Sequence, residues 1–179
     1  MRPSPVLPSV AVGGYAAVAS LAFAATLVET TLLYPNIFRD VPASLALSEE
    51  FMSAVAIGDV MRPLGAVLMF TALLALAAAV AYRVARRWVL LSLIPLLLGQ
   101  AVLSMLYQWP RATMLYDDRA RYSTAEIQRA ADEFLLGHYA RIGAALLTAA
   151  LAVTALLACH RALVLAGARR ARPEPLPAA

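Results

Sequence analysis

The sequence contains no lysine: all fifteen basic residues are arginine. Alanine is abundant, and the two features together read as a GC-rich coding bias from which no function follows. Cysteine is nearly absent. The single Cys159 allows no intrachain disulfide and no CxxC redox pair, and its apolar surroundings mark a buried core thiol. Histidine occurs only at positions 138 and 160, which excludes a conventional multi-histidine metal site. No P-loop, GxGxxG, GxSxG or HExxH pattern occurs. Charge is scarce, at 15% of residues, where a soluble domain carries about 25%. The pI is near 9.6, but the arginines sit beside apolar segments and form no basic stripe with aromatics. Nucleic acid is therefore not an expected partner.

What is present is apolar side chain. Hydrophobic residues make up 62% of the chain and mean hydropathy is +0.73. A water-soluble fold could not hide that much apolar surface, so the chain reads as an all-α integral membrane protein. Four apolar segments run over about 10–34, 63–82, 88–109 and 139–165. Each is long enough for about 30 Å of hydrocarbon at 1.5 Å per residue. The alternation of a membrane barrel is absent, so the segments are read as helices. Arg2, an apolar run and Ala22-Phe23-Ala24 resemble a signal peptide, but the apolar run continues about ten residues beyond them and is read as a first membrane helix. The expectation is one transmembrane domain over 1–168, a four-helix bundle, with a disordered proline-rich tail over 169–179.

Arginine placement orients the bundle. Arg2, the Arg83/Arg86/Arg87 loop and the group Arg161, Arg169, Arg170 and Arg172 lie at one end. That end is expected to be cytoplasmic, giving an N-in, C-in cell-membrane protein. Ten of the eleven acidic residues fall at the other end. There, two segments are expected to form short capping helices, over about 42–56 and 124–138. The first has Pro42 at its start and carries Leu45, Leu47, Phe51 and Met52 among polar residues, which suits a helix lying at the interface. The second opens with Ser123 and Glu126 at capping-box spacing, presents Ile127, Ala130, Ala131 and Phe134 on one face, and should run unbroken into the last membrane helix. Trp88, Trp109, Tyr34 and Tyr139 suit interface belts, and Pro95 should kink the third helix.

Glu29 stands near the end of the first apolar segment. Stepping back from it by helical intervals gives Ala25, Ala22, Val18 and Gly14, a mostly small stripe suited to close helix contact. It could serve intrachain packing or a homo-oligomer equally well. A carboxylate left ionised at the centre of a membrane helix costs about 2.5–3.5 kcal/mol on insertion scales, so Glu29 must be at the boundary, paired, protonated or ligand-bound. Candidate partners gather at the same end: His138 and Arg141 three residues apart, Asp59 and Arg62 before the second helix, Gln100 within the third, and Tyr107, Gln108 and Arg111 at its end. One reading is an ion pair from Glu29 to Arg141 or Arg62 that fixes helix register. The other is a ligand site, a usual feature at one end of a bundle. A mixed metal site built from Glu29, His138 and a further carboxylate is a lesser alternative.

On these residues the chain resembles the anthrone-oxygenase-like membrane proteins. The stretches that carry the resemblance are ETTLLYPNIFRDVP, GDVMRPLG, YQWPRATML and GHYARIGAALL, with a long first outer loop and a short basic second loop. The family often has an asparagine soon after the third-helix proline, where this chain has Arg111-Ala112. The resemblance implies oxygenation by O2 of an activated carbon in a lipophilic aromatic polyketide, with no cofactor fixed beyond O2. Under it, Glu29 or His138 serves as base, and Arg141, Arg111 and Gln100 hold the oxyanion, with Tyr107, Arg62 and Asp59 at the substrate. The alternatives are a related membrane cyclase or isomerase, or a non-enzymatic module that binds membrane lipid or a partner.

Overall fold

The computed structural model describes residues 6–170, with side chains through Ala168. Among them the ordered elements are all helical. Four helices are long and apolar enough to cross a membrane: α1 (Val6–Ile37), α3 (Ile57–Tyr82), α4 (Arg86–Asp117) and α5 (Thr124–Ala168). Between the first two lies the short cap helix α2 (Ala43–Phe51). The tight α3–α4 connection is made by Arg83 and Ala85, both at φ 56°. The opposite end carries α2, a 3-10 turn over Arg119–Arg121 and the first turns of α5, and is called the capped end below.

The bundle interior is built from small side chains. Ala16, Ala19 and Ala22 of α1 meet Ala72, Ala75 and Ala79 of α3 and Ala149, Ala152 and Ala155 of α5, with Cys159 buried among them. In lipid there is no hydrophobic drive between helices, so close backbone approach has to supply the packing. At Gly99 the approach is tightest, because an added Cβ would overlap Ala144 Cβ of α5. Tyr15 is fully buried and hydrogen-bonds Ser92 of α4 at 3.0 Å. Holding Tyr15 inward turns the contact face of α1 away from the expected stripe. The buried line runs Val12, Ala16, Ala19, Ala22, Thr26, while Gly14 is exposed and Ala25 and Val18 are half-buried.

Helix ends differ from expectation where a proline suggested a boundary. α3 begins at Ile57, not near Pro63, because the Asp59 carboxylate accepts the Ala56 amide at 3.1 Å and caps an earlier first turn. α4 does not end at Trp109. Pro110 stands in the first turn of a new helical stretch, Trp109–Ala112, where its missing N–H costs least. α4 also widens rather than breaks at Pro95, which opens a π-helical run to Val102. π-helical turns follow at Ser104–Gln108 and Thr113–Asp117. α5 belongs to one unbroken helix of 47 residues, Thr124–Arg170, about 70 Å long and so longer than the hydrocarbon core. It includes 169 and 170 of the expected tail; the remainder, 171–179, lies outside the described residues.

The surplus length of α5 forms the cap core. Ile127, Ala130, Ala131 and Phe134 are buried against Tyr34 and Ile37 of α1, Val41 of the first connection, Leu45 of α2 and Leu115 of α4. The Glu126 carboxylate accepts the Ser123 amide at 2.8 Å and the Ser123 hydroxyl accepts the Glu126 amide at 3.4 Å, which completes the capping box. Of the α2 residues, Leu45 points in, whereas Leu47 and Phe51, four apart on one face, point out.

Candidate functional site

A cavity of about 1160 Å³ lies at the capped end, walled by α1, α3, α4 and α5 and roofed by α2. Its apolar walls are Leu68 and Met69 of α3, Leu96 and Met105 of α4, and Phe134 of α5. Its polar lining draws on all four membrane helices and includes Glu29, Arg62, Gln100, Gln108, His138 and Arg141.

The conformation of α1 builds the first part of the site. From Glu29 to Leu33 the helix is π-helical, and the Tyr34 amide bonds the Glu29 carbonyl, five residues back. Pro35 follows at once; it lacks the N–H that would close an ordinary turn, and its ring crowds the preceding carbonyl. In an α-helix residues five apart diverge by about 140° around the axis, whereas the wider π turn brings them closer to one face. The Tyr34 hydroxyl therefore donates to Glu29 Oε1. Glu29 Oε2 is buried without a hydrogen-bond partner.

His138 forms the second part. It is enclosed by the rings of Tyr34 and Phe134, with centroids at 4.4 and 4.7 Å. Its Nε2 lies 3.4 Å from Arg141 Nη1 and its Nδ1 lies 3.4 Å from Thr30 Oγ1. Arginine can only donate, so Nε2 is the acceptor. The Thr30 hydroxyl proton goes to the Thr26 carbonyl at 2.8 Å, leaving Oγ1 to accept from Nδ1–H. The imidazole is thus the neutral Nδ1–H tautomer, with both nitrogens engaged. Among the described residues Arg141 has no carboxylate within ion-pair distance, and its Nε is buried without a partner.

The third part is on α4. Gln108 donates to the Phe134 carbonyl at 3.2 Å, and its own Oε1 is buried and unpartnered. Gln100, deeper in the bundle, donates to Thr148 at 3.1 Å. Gly137 makes this approach of α4 to α5 possible, since a Cβ there would lie 2.7 Å from Gln108 Nε2 and 2.8 Å from Tyr107.

The structure thus brings together six of the nine candidate residues: Glu29, His138, Arg141, Gln100, Gln108 and Arg62. Three lie elsewhere. Arg111 turns away from the cavity, pairs with Glu133 at 2.6 Å and stacks over the Tyr107 ring at 3.5 Å, so Arg111 and Tyr107 form a structural clasp between α4 and α5. Asp59 is exposed and serves as the cap of α3. The expected ion pair from Glu29 to Arg141 or Arg62 is not formed; Glu29 is held by Tyr34. Among the described residues no group of three His, Cys, Asp or Glu could hold a metal. The pair Glu29 and His138 lacks a third ligand, and the Arg141 guanidinium occupies Nε2. Tyr34, read from sequence as an interface aromatic, is instead 4% exposed and belongs to the site; the neighbouring Pro35 was its one local signal. Thr30 and Tyr116 also belong to this region, and neither carries a sequence pattern that would have singled it out.

Fold and site together define a four-helix, membrane-type bundle with a polar-ended cavity under a helical cap. Comparison with protein-family models, curated proteins and solved structures gives no match for the chain.

Proposed function

We propose that the protein is an intramembrane enzyme acting on a lipophilic small molecule, and that it oxygenates an activated carbon of an aromatic, polyketide-type substrate. One observation carries this reading: Glu29 and Arg141 line a common cavity without pairing, and each keeps a buried polar atom unpartnered. A register-fixing pair would have satisfied those atoms internally. Leaving one unmet costs about 1–3 kcal/mol, a cost that a ligand at this position would offset.

The chemistry follows from the donor and acceptor set. Glu29, oriented by Tyr34, removes a proton from a CH2 flanked by a carbonyl or aromatic ring. Arg141 holds the oxygen on which the negative charge develops. The carbanionic carbon adds O2, and loss of water from the resulting hydroperoxide leaves a ketone, so CH2 and O2 become C=O and H2O. His138 has both nitrogens engaged and acts as a positioning residue for Arg141. The same acid–base set without O2 would serve a cyclase or isomerase. The apolar walls suit a fused-ring substrate that partitions into lipid.

The arginine distribution supports a cell-membrane orientation with both termini in the cytoplasm and the cap outside. Four of the capped-end arginines are engaged within the protein: Arg111 with Glu133, Arg119 with Glu49, Arg121 with Asp118 and Arg141 with His138.

The test is oxygen uptake by detergent-purified protein given an anthrone, with product absorbance followed in parallel. Glu29→Gln should lower kcat by about 10²–10⁴, the usual contribution of a positioned base. Arg141→Ala should lower kcat as well. Turnover unchanged in both variants would remove the cluster from any catalytic role, and turnover independent of O2 would select the isomerase chemistry.

A further inference from the structure

We propose that the cavity opens sideways into the bilayer, between α3 and the outer half of α4, and that a lipid-dissolved ligand reaches the polar cluster through this mouth. The helix arrangement points to it. α3 packs along α1 and meets α4 through Arg86–Ile94, near the tight connection. α4 packs on α5 along its whole length, but from Pro95 onward its contact with α3 falls away. The two helices therefore diverge toward the capped end, and the cavity fills the wedge between them. Its floor includes Leu68, eleven residues from the start of α3, hence about 16 Å along the helix axis and within the hydrocarbon.

The rim of the wedge is apolar and uncovered. On α3 it includes Gly65, which is exposed and where an added Cβ would meet nothing within 4 Å. On α4 it includes Met105 and Trp109, one helical turn apart, 47% and 58% exposed. The charged lining residues Glu49, Arg62 and Asp117 gather instead at the capped end. There Arg119 Nη2 holds Glu49 at 2.9 Å and ties α2 to the turn after α4, roofing the water side, whereas among the described residues no ion pair joins α3 to α4. Methionine walls at 61, 69 and 105 suit an apolar body of irregular shape, since the unbranched thioether adapts to its neighbour. A ligand arriving from the bilayer would lead with its polar end to Glu29, Gln108 and Arg141 and leave its apolar body in the mouth.

This inference rests on the same cavity as the proposed function, but its test reads access without turnover. Ser104 lines the cavity. Ser104→Cys is placed in a Cys159→Ala background and reconstituted in nanodiscs, where both faces meet water. Labelling rates are compared for a long-chain N-alkyl maleimide and a sulfonated, bilayer-excluded maleimide. The alkyl reagent should label, and Gly65→Trp should slow it on the order of tenfold, a barrier increase that a plugged mouth readily supplies. The sulfonated reagent should label slowly and be indifferent to Gly65→Trp. Met105→Trp plugs the mouth from the other lip and replaces Gly65→Trp if that variant is not monodisperse. Fast labelling by the sulfonated reagent with no effect of either plug would place the opening in water and overturn the proposal. Labelling by neither reagent would show a closed cavity and overturn it equally. A sideways mouth in a protein without oxygenase activity would leave the inference standing and sink the proposed chemistry alone.

Discussion

Tyr34 donates its hydroxyl to Glu29 Oε1 from five residues further along the same helix. The intervening turn is π-helical, which brings the two side chains nearer to one face than an α turn would. The bond satisfies half of a carboxylate that is 5% exposed at membrane depth, and it leaves the other oxygen available to a ligand. The rings around Tyr34 then fix its own position, with Phe38 stacked at 5.4 Å and Phe134 edge-on at 5.2 Å.

If the bond couples the two residues, a double-mutant cycle will show it. Tyr34→Phe leaves a buried carboxylate wholly unpaired and should cost about 1–3 kcal/mol, read as a lower Tm in detergent. Glu29→Leu removes the need for the donor. Tyr34→Phe should then cost much less in the Glu29→Leu background than in the wild type. Additive losses would mean that the hydroxyl contributes nothing through Glu29.

Glycines in the same bundle should respond with opposite sign. Gly99→Ala drives a Cβ into Ala144, and Gly137→Ala drives one into Gln108 and Tyr107. Overpacking of this kind costs about 1–3 kcal/mol. At Gly14 and Gly143 an added Cβ meets nothing within 4 Å. Alanine there should be neutral or stabilising by up to about 1 kcal/mol, since glycine is the poorer helix former. Thermal melts of the four single variants check the ordering, and equal Tm values across them would refute the close approach.

The four membrane helices and the cap were legible because apolar run length and capping chemistry are local signals. Ser123 and Glu126 announced the start of the last helix in just this way. The site was legible only in part. Glu29, His138 and Arg141 stand out as rare polar residues beside apolar runs. Their partners depended on rotations about helix axes that the sequence does not state. The π turn after Glu29 moved Tyr34 into the site, and the wide turns of α4 sent Gln108 and Arg111 to different faces. The inward Tyr15, anchored on Ser92, likewise rotated the small-residue stripe of α1. Each proline was visible, but a proline inside a membrane helix can end it, kink it or widen it.

The two arginines near α5 should differ in their effect on ligand binding. Arg111→Ala loses a partly exposed ion pair and a stacking contact with Tyr107, which together should cost about 1 kcal/mol. It should leave ligand binding and any turnover near wild type, because Arg111 lies outside the cavity lining. Arg141→Ala frees no carboxylate but leaves His138 Nε2 without its donor, and should lower stability by about 1–3 kcal/mol. Unlike Arg111→Ala, it should also weaken binding of an anionic or enolic ligand by about 1.5–3 kcal/mol, as for one hydrogen bond to a charged group. Titration of a fluorescent naphtholate-type probe into both variants checks this. Equal affinities would show that Arg141 does not meet the ligand.

The cap helix α2 should rest on the membrane surface. Phe51 is 87% exposed and Leu47 lies one turn before it on the same outward face, while Leu45 holds the opposite face in the cap core. Apolar side chains presented this way stabilise a helix only if lipid covers them, by roughly 25 cal/mol per Å² of surface removed from water. Phe51→Trp, in a background with Trp88 and Trp109 replaced by phenylalanine, places a single reporter on that face. In vesicles carrying lipids brominated near the headgroup its emission should be blue-shifted and strongly quenched. Lipids brominated deep in the chain should quench it far less, because the helix lies along the interface. Red, unquenched emission in both vesicles would show that α2 stands off in water, and its exposed apolar face would then need a protein partner.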